Sequence, residues 1–106
     1  MNKLETNALR IIELLYPDID INGIEKYKEF FSNYNGLMPI VFECNQSDGA
    51  DVIVFYLDGV GFMNGNESDR IETEYNTEPE FIEAIQLACI KYLEVKNDNS
   101  RVQQTI

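Results

Sequence analysis

The most strand-like stretch of the chain, Val52 to Leu57, lies inside a strongly acidic region. Between Glu43 and Glu83 the sequence holds eleven acidic residues and one base, Arg70, for a net charge of −10. Almost all of the chain's formal charge of −11 therefore comes from this region. Because Val52 to Leu57 is apolar on both faces, it predicts a central strand in a sheet whose outward side chains and turns are acidic.

Shorter segments on either side predict the rest of the sheet. In the segment before Val52, apolar Ile40, Phe42 and Cys44 alternate with more polar residues, which is typical of a strand with one buried face. Asp-Gly and Asn-Gly pairs mark turns between the later segments. The four predicted strands are Pro39–Asn45, Val52–Leu57, Val60–Met63 and Arg70–Tyr75.

Three amphipathic segments predict helices. Residues 3–16 carry apolar side chains at helical spacing and end before Pro17. Asn22 and Glu25 fit a capping box that opens a second helix, and Asn35-Gly36 is a typical helix end. Thr77 to Glu80 forms a second capping box, after which an apolar stripe continues to about Val95.

The predicted order of elements is α-α-β-β-β-β-α. This order favours an α+β fold in which helices pack against a mostly antiparallel sheet, and the apolar Val52–Leu57 favours helices on both faces. At 106 residues the chain is the length of one domain. We expect residues 1–96 to form it and the polar residues 97–106 to form a flexible tail.

The composition argues against several kinds of chemistry. The chain contains no histidine, so the commonest general base and metal ligand are missing. Cys44 and Cys89 lie within apolar patterns and are interpreted as buried free thiols in a reducing cytosol. Without a signal peptide or a membrane-spanning run, we expect a cytoplasmic protein that is not an enzyme and has no cofactor.

One segment resembles the calcium-binding loop of EF-hand proteins. Asp18-Ile-Asp20-Ile-Asn22-Gly23, followed by Glu29, fits the pattern of that loop and lies between two predicted helices. The resemblance implies calcium ligands from Asp18, Asp20, Asn22 and Glu29 and from the Ile24 carbonyl. A helix-loop-helix connection without metal accounts for the same residues. A metal-dependent hydrolase that uses carboxylates alone is a further alternative.

The acidic region itself predicts a binding surface. Negative charge disfavours nucleic acid and anionic membranes and favours a basic protein partner, although charge can also serve solubility alone. Aromatic side chains among the acids would supply the anchoring contacts. The predicted partner-binding residues are Tyr56, Asp58, Phe62, Glu67, Asp69, Glu72, Glu74 and Tyr75.

In size, charge and αβ make-up the chain resembles the small acidic immunity proteins of bacterial toxin–immunity pairs. That resemblance implies an inhibitor that covers the basic site of a nuclease toxin. The helix from Phe81 to Leu93 also resembles small phage αβ proteins, which implies an inhibitor of a host defence protein that handles nucleic acid. A homodimeric subunit whose acids are merely solvated is the third alternative.

Overall fold

The computed structural model describes residues 2–46, 51–56, 59–64, 67–71 and 77–104. For residues 64, 67–71 and 99–104 it describes the backbone but not the side chains. In chain order the elements are α1 (Lys3–Leu15), α2 (Ile21–Phe30), α3 (Tyr34–Gln46), β1 (Asp51–Tyr56), β2 (Gly59–Asn64), β3 (Glu67–Ile71) and α4 (Glu78–Gln104).

The three strands form an antiparallel sheet in the order β1-β2-β3. Ile53 pairs with Phe62 across the first two strands, and Val60 pairs with Ile71 across the next two. Strands β1 and β2 therefore lie close to their predicted positions, whereas β3 begins at Glu67, before the start predicted at Arg70. Residues 72–75 of the predicted last strand lie outside the described residues.

The predicted strand Pro39–Asn45 is wrong, because these residues belong to helix α3. Leu37, Ile40, Val41 and Cys44 are buried at intervals of three and four residues, which is the spacing of one helix face. Pro39 lies inside the helix, where it has no N–H to donate to the preceding turn. Burial of this four-residue face offsets that lost hydrogen bond, and the sheet has three strands within the described residues instead of the predicted four.

Helix α2 begins and ends earlier than predicted. Its N-cap is Asp20 and not Asn22, because the Asp20 carboxylate accepts a hydrogen bond from the Gly23 N–H at 2.8 Å. At the other end, the Ser32 hydroxyl donates to the Lys28 carbonyl at 2.8 Å. The Asn33 amide donates to the Glu29 carbonyl at 2.7 Å. These side chains bind carbonyls of the last turn, and the helix ends at Phe30.

Gly36 lies inside α3 and does not form the predicted left-handed helix end. A Cβ atom at this position would lie only 2.8 Å from the carbonyl carbon of Phe30. The glycine is therefore needed for close backbone approach between the end of α2 and the start of α3. This contact is made across the short turn between α2 and α3, and α3 continues where the prediction placed a loop and a strand.

Helix α4 lies at the centre of the fold. It contacts α1, α3 and all three strands, and its predicted apolar stripe is buried. Its start is the predicted capping pair: the Thr77 hydroxyl accepts from the Glu80 N–H at 3.4 Å and donates to the Glu80 carboxylate at 2.8 Å. The helix continues to Gln104, past its predicted end near Val95, whereas division of the chain at residue 96 stays a prediction.

The sheet is covered by helices on one face. Ile53, Val60 and Phe62 share a face by their register and are buried, and α4 packs against them. Val52 and Tyr56 lie on the opposite face and are exposed. The prediction that β1 is covered on both faces is therefore wrong. The chain forms one α+β domain in the order α-α-α-β-β-β-α, and no helix in its described part is long and apolar enough to cross a membrane.

Candidate functional site

Most of the predicted acidic face falls where the structure gives no side chains. Asp58, Glu72, Glu74 and Tyr75 lie outside the described residues. The backbones of two further acids are placed in β3. Glu67 pairs with Asn64, and Asp69 pairs with Phe62, in the register of the sheet. The role of these six residues in partner binding stays a prediction.

The two predicted aromatic anchors within the described strands differ in exposure. Tyr56 is 41% exposed at the end of β1. Phe62 is only 4% exposed, because it lies on the face of the sheet that α4 covers. Phe62 is thus a core residue, and its prediction as a surface anchor is wrong.

Several acids of the region Glu43–Glu83 do have described side chains. Glu43 on α3 forms an ion pair of 2.9 Å with Lys96 of α4, and both side chains are about half exposed. Burial raises the pKa of Tyr92 to about 12, and the nearby carboxylates of Glu43 and Asp51 add to the shift. At the other end of α3, burial and the Glu78 carboxylate raise the pKa of Tyr34. Carboxylates therefore lie near both ends of α3.

The segment that resembles an EF-hand loop has a different conformation. Helix α2 starts at Ile21, so Asn22, Ile24 and Glu29 lie in a helix, while Asp18 and Asp20 precede it. The Asp20 carboxylate is engaged as the N-cap. The segment therefore does not form an EF-hand loop, because the oxygens of Asn22, Ile24 and Glu29 lie along a helix and do not converge on one ion. Within the described ranges no three acidic or cysteine side chains are grouped to hold a metal ion.

The cysteines have the buried, unbridged state predicted for them. Burial raises the pKa of the Cys44 thiol to about 11, and the Asp51 carboxylate also raises it. Burial likewise raises the pKa of Cys89. Both thiols are protonated at neutral pH, so neither is suited to act as a nucleophile.

The described part of the chain exposes large apolar side chains beside β1. On α3, Phe42 is 64% exposed and Met38 is 40% exposed. They are four residues apart, as are Tyr34 and Met38, so all three follow one side of the helix. Phe55 of β1 is 41% exposed. We call Met38, Phe42 and Phe55 the α3–β1 strip.

Aromatic contacts hold one end of this strip in place. The Phe81 ring of α4 contacts Tyr34 of α3 and Phe55 of β1 edge to face, with centroid distances of 6.1 Å in both pairs. Three different elements therefore meet at this point. Phe55 contacts Phe81 on one side and remains 41% exposed to solvent.

The Asn45 side chain joins α3 to the edge of the sheet at the other end of the strip. The Asn45 carbonyl oxygen accepts from the Ile53 N–H at 2.7 Å, and its amide donates to the Ile53 carbonyl at 3.1 Å. Ile53 therefore directs its backbone groups away from β2. Because such groups alternate along an antiparallel strand, those of Phe55 lie on the same edge.

Sequence patterns missed the strip because Phe42 was assigned to the buried face of a strand. The signal that could have found it is the spacing of Leu37, Ile40, Val41 and Cys44. This spacing describes a complete helix face and leaves Phe42 off it. A large aromatic residue outside the apolar face of a helix is a candidate for contact with another molecule.

Comparison of the chain with protein-family models, with curated proteins and with solved structures found no match. The function of the chain is therefore inferred from its own charge and geometry.

Proposed function

We propose that the chain is an acidic binding protein that covers the basic surface of a partner which acts on nucleic acid, in the manner of an immunity protein. The observation that carries this proposal is the concentration of charge: the region Glu43–Glu83 has a net charge of −10 in a chain of −11. A field of this kind attracts a basic protein and speeds its association.

The position of the exposed apolar side chains supports the same function. Tyr56 and Phe55 of β1 lie within the acidic region and are each 41% exposed. Apolar anchors surrounded by charge are typical of protein interfaces, in which the apolar groups supply affinity and the charges supply steering. Solvated charge that served solubility alone would not require aromatic side chains to stay exposed among the acids.

The function can be tested first by affinity capture from the source cell at low and at high salt. We expect the immobilised chain to retain a basic protein at low salt and to release it at high salt, because salt screens the attraction. Capture of a nuclease would agree with toxin neutralisation, and capture of a host nucleic-acid-binding defence protein would agree with the phage-type inhibitor. Recovery of the chain alone at both salt concentrations would contradict the proposal.

Charge reversal tests whether the location of the charge matters. Substituting Glu72→Lys and Glu74→Lys should slow association with the captured partner by about tenfold or more, because steering is lost. The matched control is Asp18→Lys with Glu29→Lys. It makes the same change in net charge at two exposed positions on the α2 side. Equal association rates for the two double variants would show that the acidic region is not the interface.

A further inference from the structure

We propose that the α3–β1 strip is the apolar anchor site for a basic segment of the partner, one that presents aliphatic side chains flanked by lysine or arginine. This inference rests on the proposed function and adds to it the place and the chemistry of contact. It concerns Met38 and Phe42 of α3 and Phe55 of β1.

No described element of the fold covers the strip. Phe42 keeps 64% of its surface in contact with solvent, although the helix that carries it buries four other apolar side chains. Exposure of Met38 and Phe42 on one side of α3, and of Phe55 on the strand that packs against α3, opposes the hydrophobic effect in the isolated chain. Burial of these side chains against a partner would recover that free energy, and large apolar groups of this kind dominate binding energy at interfaces.

The strip is built to be rigid. Phe81 holds Phe55 and Tyr34 through edge-to-face contacts, and Asn45 fastens the other end of α3 to Ile53. A surface that is already ordered loses little conformational entropy when it binds. The contacts thus favour a preformed docking surface that a partner enters without rearrangement of the chain.

The charges at the ends of the strip indicate which occupant fits. Glu43 and Asp51 lie near the end of α3 that Asn45 fastens, and Glu78 lies near Tyr34 at the other end. Lys96 offsets Glu43 through their 2.9 Å ion pair. The remaining charge is negative, so basic residues on either side of an apolar anchor find complementary groups. A second copy of this chain would instead bring its own charge of −11 and be repelled.

A defined peptide tests the inference without knowledge of the natural partner. The probe is a dye-labelled peptide in which leucines alternate with pairs of lysines, and its control has serine at each leucine. Binding is measured by fluorescence anisotropy at physiological salt. We expect the leucine peptide to bind about tenfold or more tightly than the serine peptide, because only the former can fill the strip.

Two variants locate the contact. Met38→Gln with Phe42→Gln should weaken binding of the leucine peptide by about tenfold or more and leave that of the serine peptide unchanged. Ile21→Gln is the matched control, since Ile21 is 77% exposed on α2 and lies off the strip. Circular dichroism and thermal melting should show the parent's fold in each variant, because the substituted side chains are exposed.

The possible results separate this inference from the proposed function. Equal binding of the two peptides to the parent, or full binding of the leucine peptide to the strip variant, would overturn the anchor site and leave an acidic surface for basic proteins. Failure of both peptides to bind even at low salt would contradict the proposed function as well. Self-association in sedimentation experiments that disappears in the strip variant would overturn the inference in favour of a second copy.

Discussion

At the scale of single residues, Gln86 is the buried polar group on which the helices converge. It is fully buried in α4, and its amide nitrogen donates to the carbonyls of Leu4 and Phe31 at 2.9 Å each. Its oxygen accepts from the Asn7 amide at 3.2 Å. One side chain therefore satisfies groups from α1 and from the end of α2, and its own amide is fully hydrogen-bonded, as burial of an amide requires.

Substitution of Gln86→Ala should lower the free energy of unfolding by about 3 kcal/mol, because the buried Phe31 carbonyl and the part-buried Leu4 carbonyl lose the Gln86 donor and a cavity is left. The measurement is urea denaturation of the variant and the parent. Gln46→Ala is the control, since Gln46 is an exposed helical glutamine, and it should change stability by less than about 0.5 kcal/mol. Equal stability of the two variants would show that the Gln86 hydrogen bonds contribute nothing net.

Single residues also show where sequence patterns reach their limit. The burial of Ala88 and Cys89 follows from their place in a helical stripe, and the prediction is confirmed. Phe62 was predicted to be exposed and is buried, whereas Phe42 was predicted to be buried and is exposed. Both errors concern which face of a helix or strand is buried. That depends on which other elements pack against the face, and these lie far away in sequence. Hydrophobicity alone does not distinguish a core aromatic from a surface anchor.

At the scale of elements, the joint between α3 and β1 depends on Asn45. Its side chain bonds both backbone groups of Ile53 and covers part of an open sheet edge. Open edges invite pairing with other chains, so this contact also protects the strand. The predicted strand Pro39–Asn45 would have paired with β1 through its backbone. In the structure the Asn45 side chain of α3 makes hydrogen bonds to β1 instead.

Asn45→Ala should lower the free energy of unfolding by about 1–2 kcal/mol, because the Ile53 N–H and carbonyl lose a partner at a partly buried site. Amide hydrogen exchange provides a local readout, since the Ile53 N–H should exchange faster in the variant than in the parent. Asn35→Ala on an exposed face of the same helix should leave that exchange rate unchanged. Unaltered protection of Ile53 in Asn45→Ala would contradict the assigned role.

Elements with strong local signals were predictable, and the ambiguous one was not. Helix α1 and the start of α4 have caps and apolar spacing that agree, and the structure confirms both. The segment Pro39–Asn45 fits a strand by alternation and a helix by the spacing of Ile40, Val41 and Cys44. A short apolar segment can fit the two-residue period of a strand and the 3.6-residue period of a helix at the same time. Contact of this segment with α4 decides between them, and that contact is between residues far apart in sequence.

At the scale of the whole molecule, burial of ionisable groups next to the acids couples stability to alkaline pH. The pKa of Cys44 rises from 9.0 to about 11, and that of Tyr92 rises from 10.0 to about 12, chiefly through burial. In the unfolded chain both groups ionise at the lower values. As pH increases above 9.0, the unfolded state therefore loses protons first, and stability falls until the folded-state pKa values are passed.

We expect the free energy of unfolding to fall by about 4 kcal/mol between about pH 8 and about pH 11. Urea denaturation across this range gives the measurement. Tyr92→Phe should make the fall shallower, because the residue can no longer ionise in the unfolded state. Tyr16→Phe, at an exposed tyrosine, should show the fall of the parent. An identical pH dependence for parent and Tyr92→Phe would contradict the explanation.

The sequence by itself determined where the charge lies, which segments form α1 and α4, and that strands follow one another antiparallel through tight turns. These features depend on neighbouring residues, so local patterns are sufficient. Only the tertiary structure decided that α3 is a helix, that α4 buries Phe62, and that Phe42 and Phe55 stay exposed on one strip. The physical reason is that burial depends on pairs of elements: α4 covers one face of the sheet and one face of α3, and the candidate surface lies at the margin of that coverage, where Phe55 stays partly exposed.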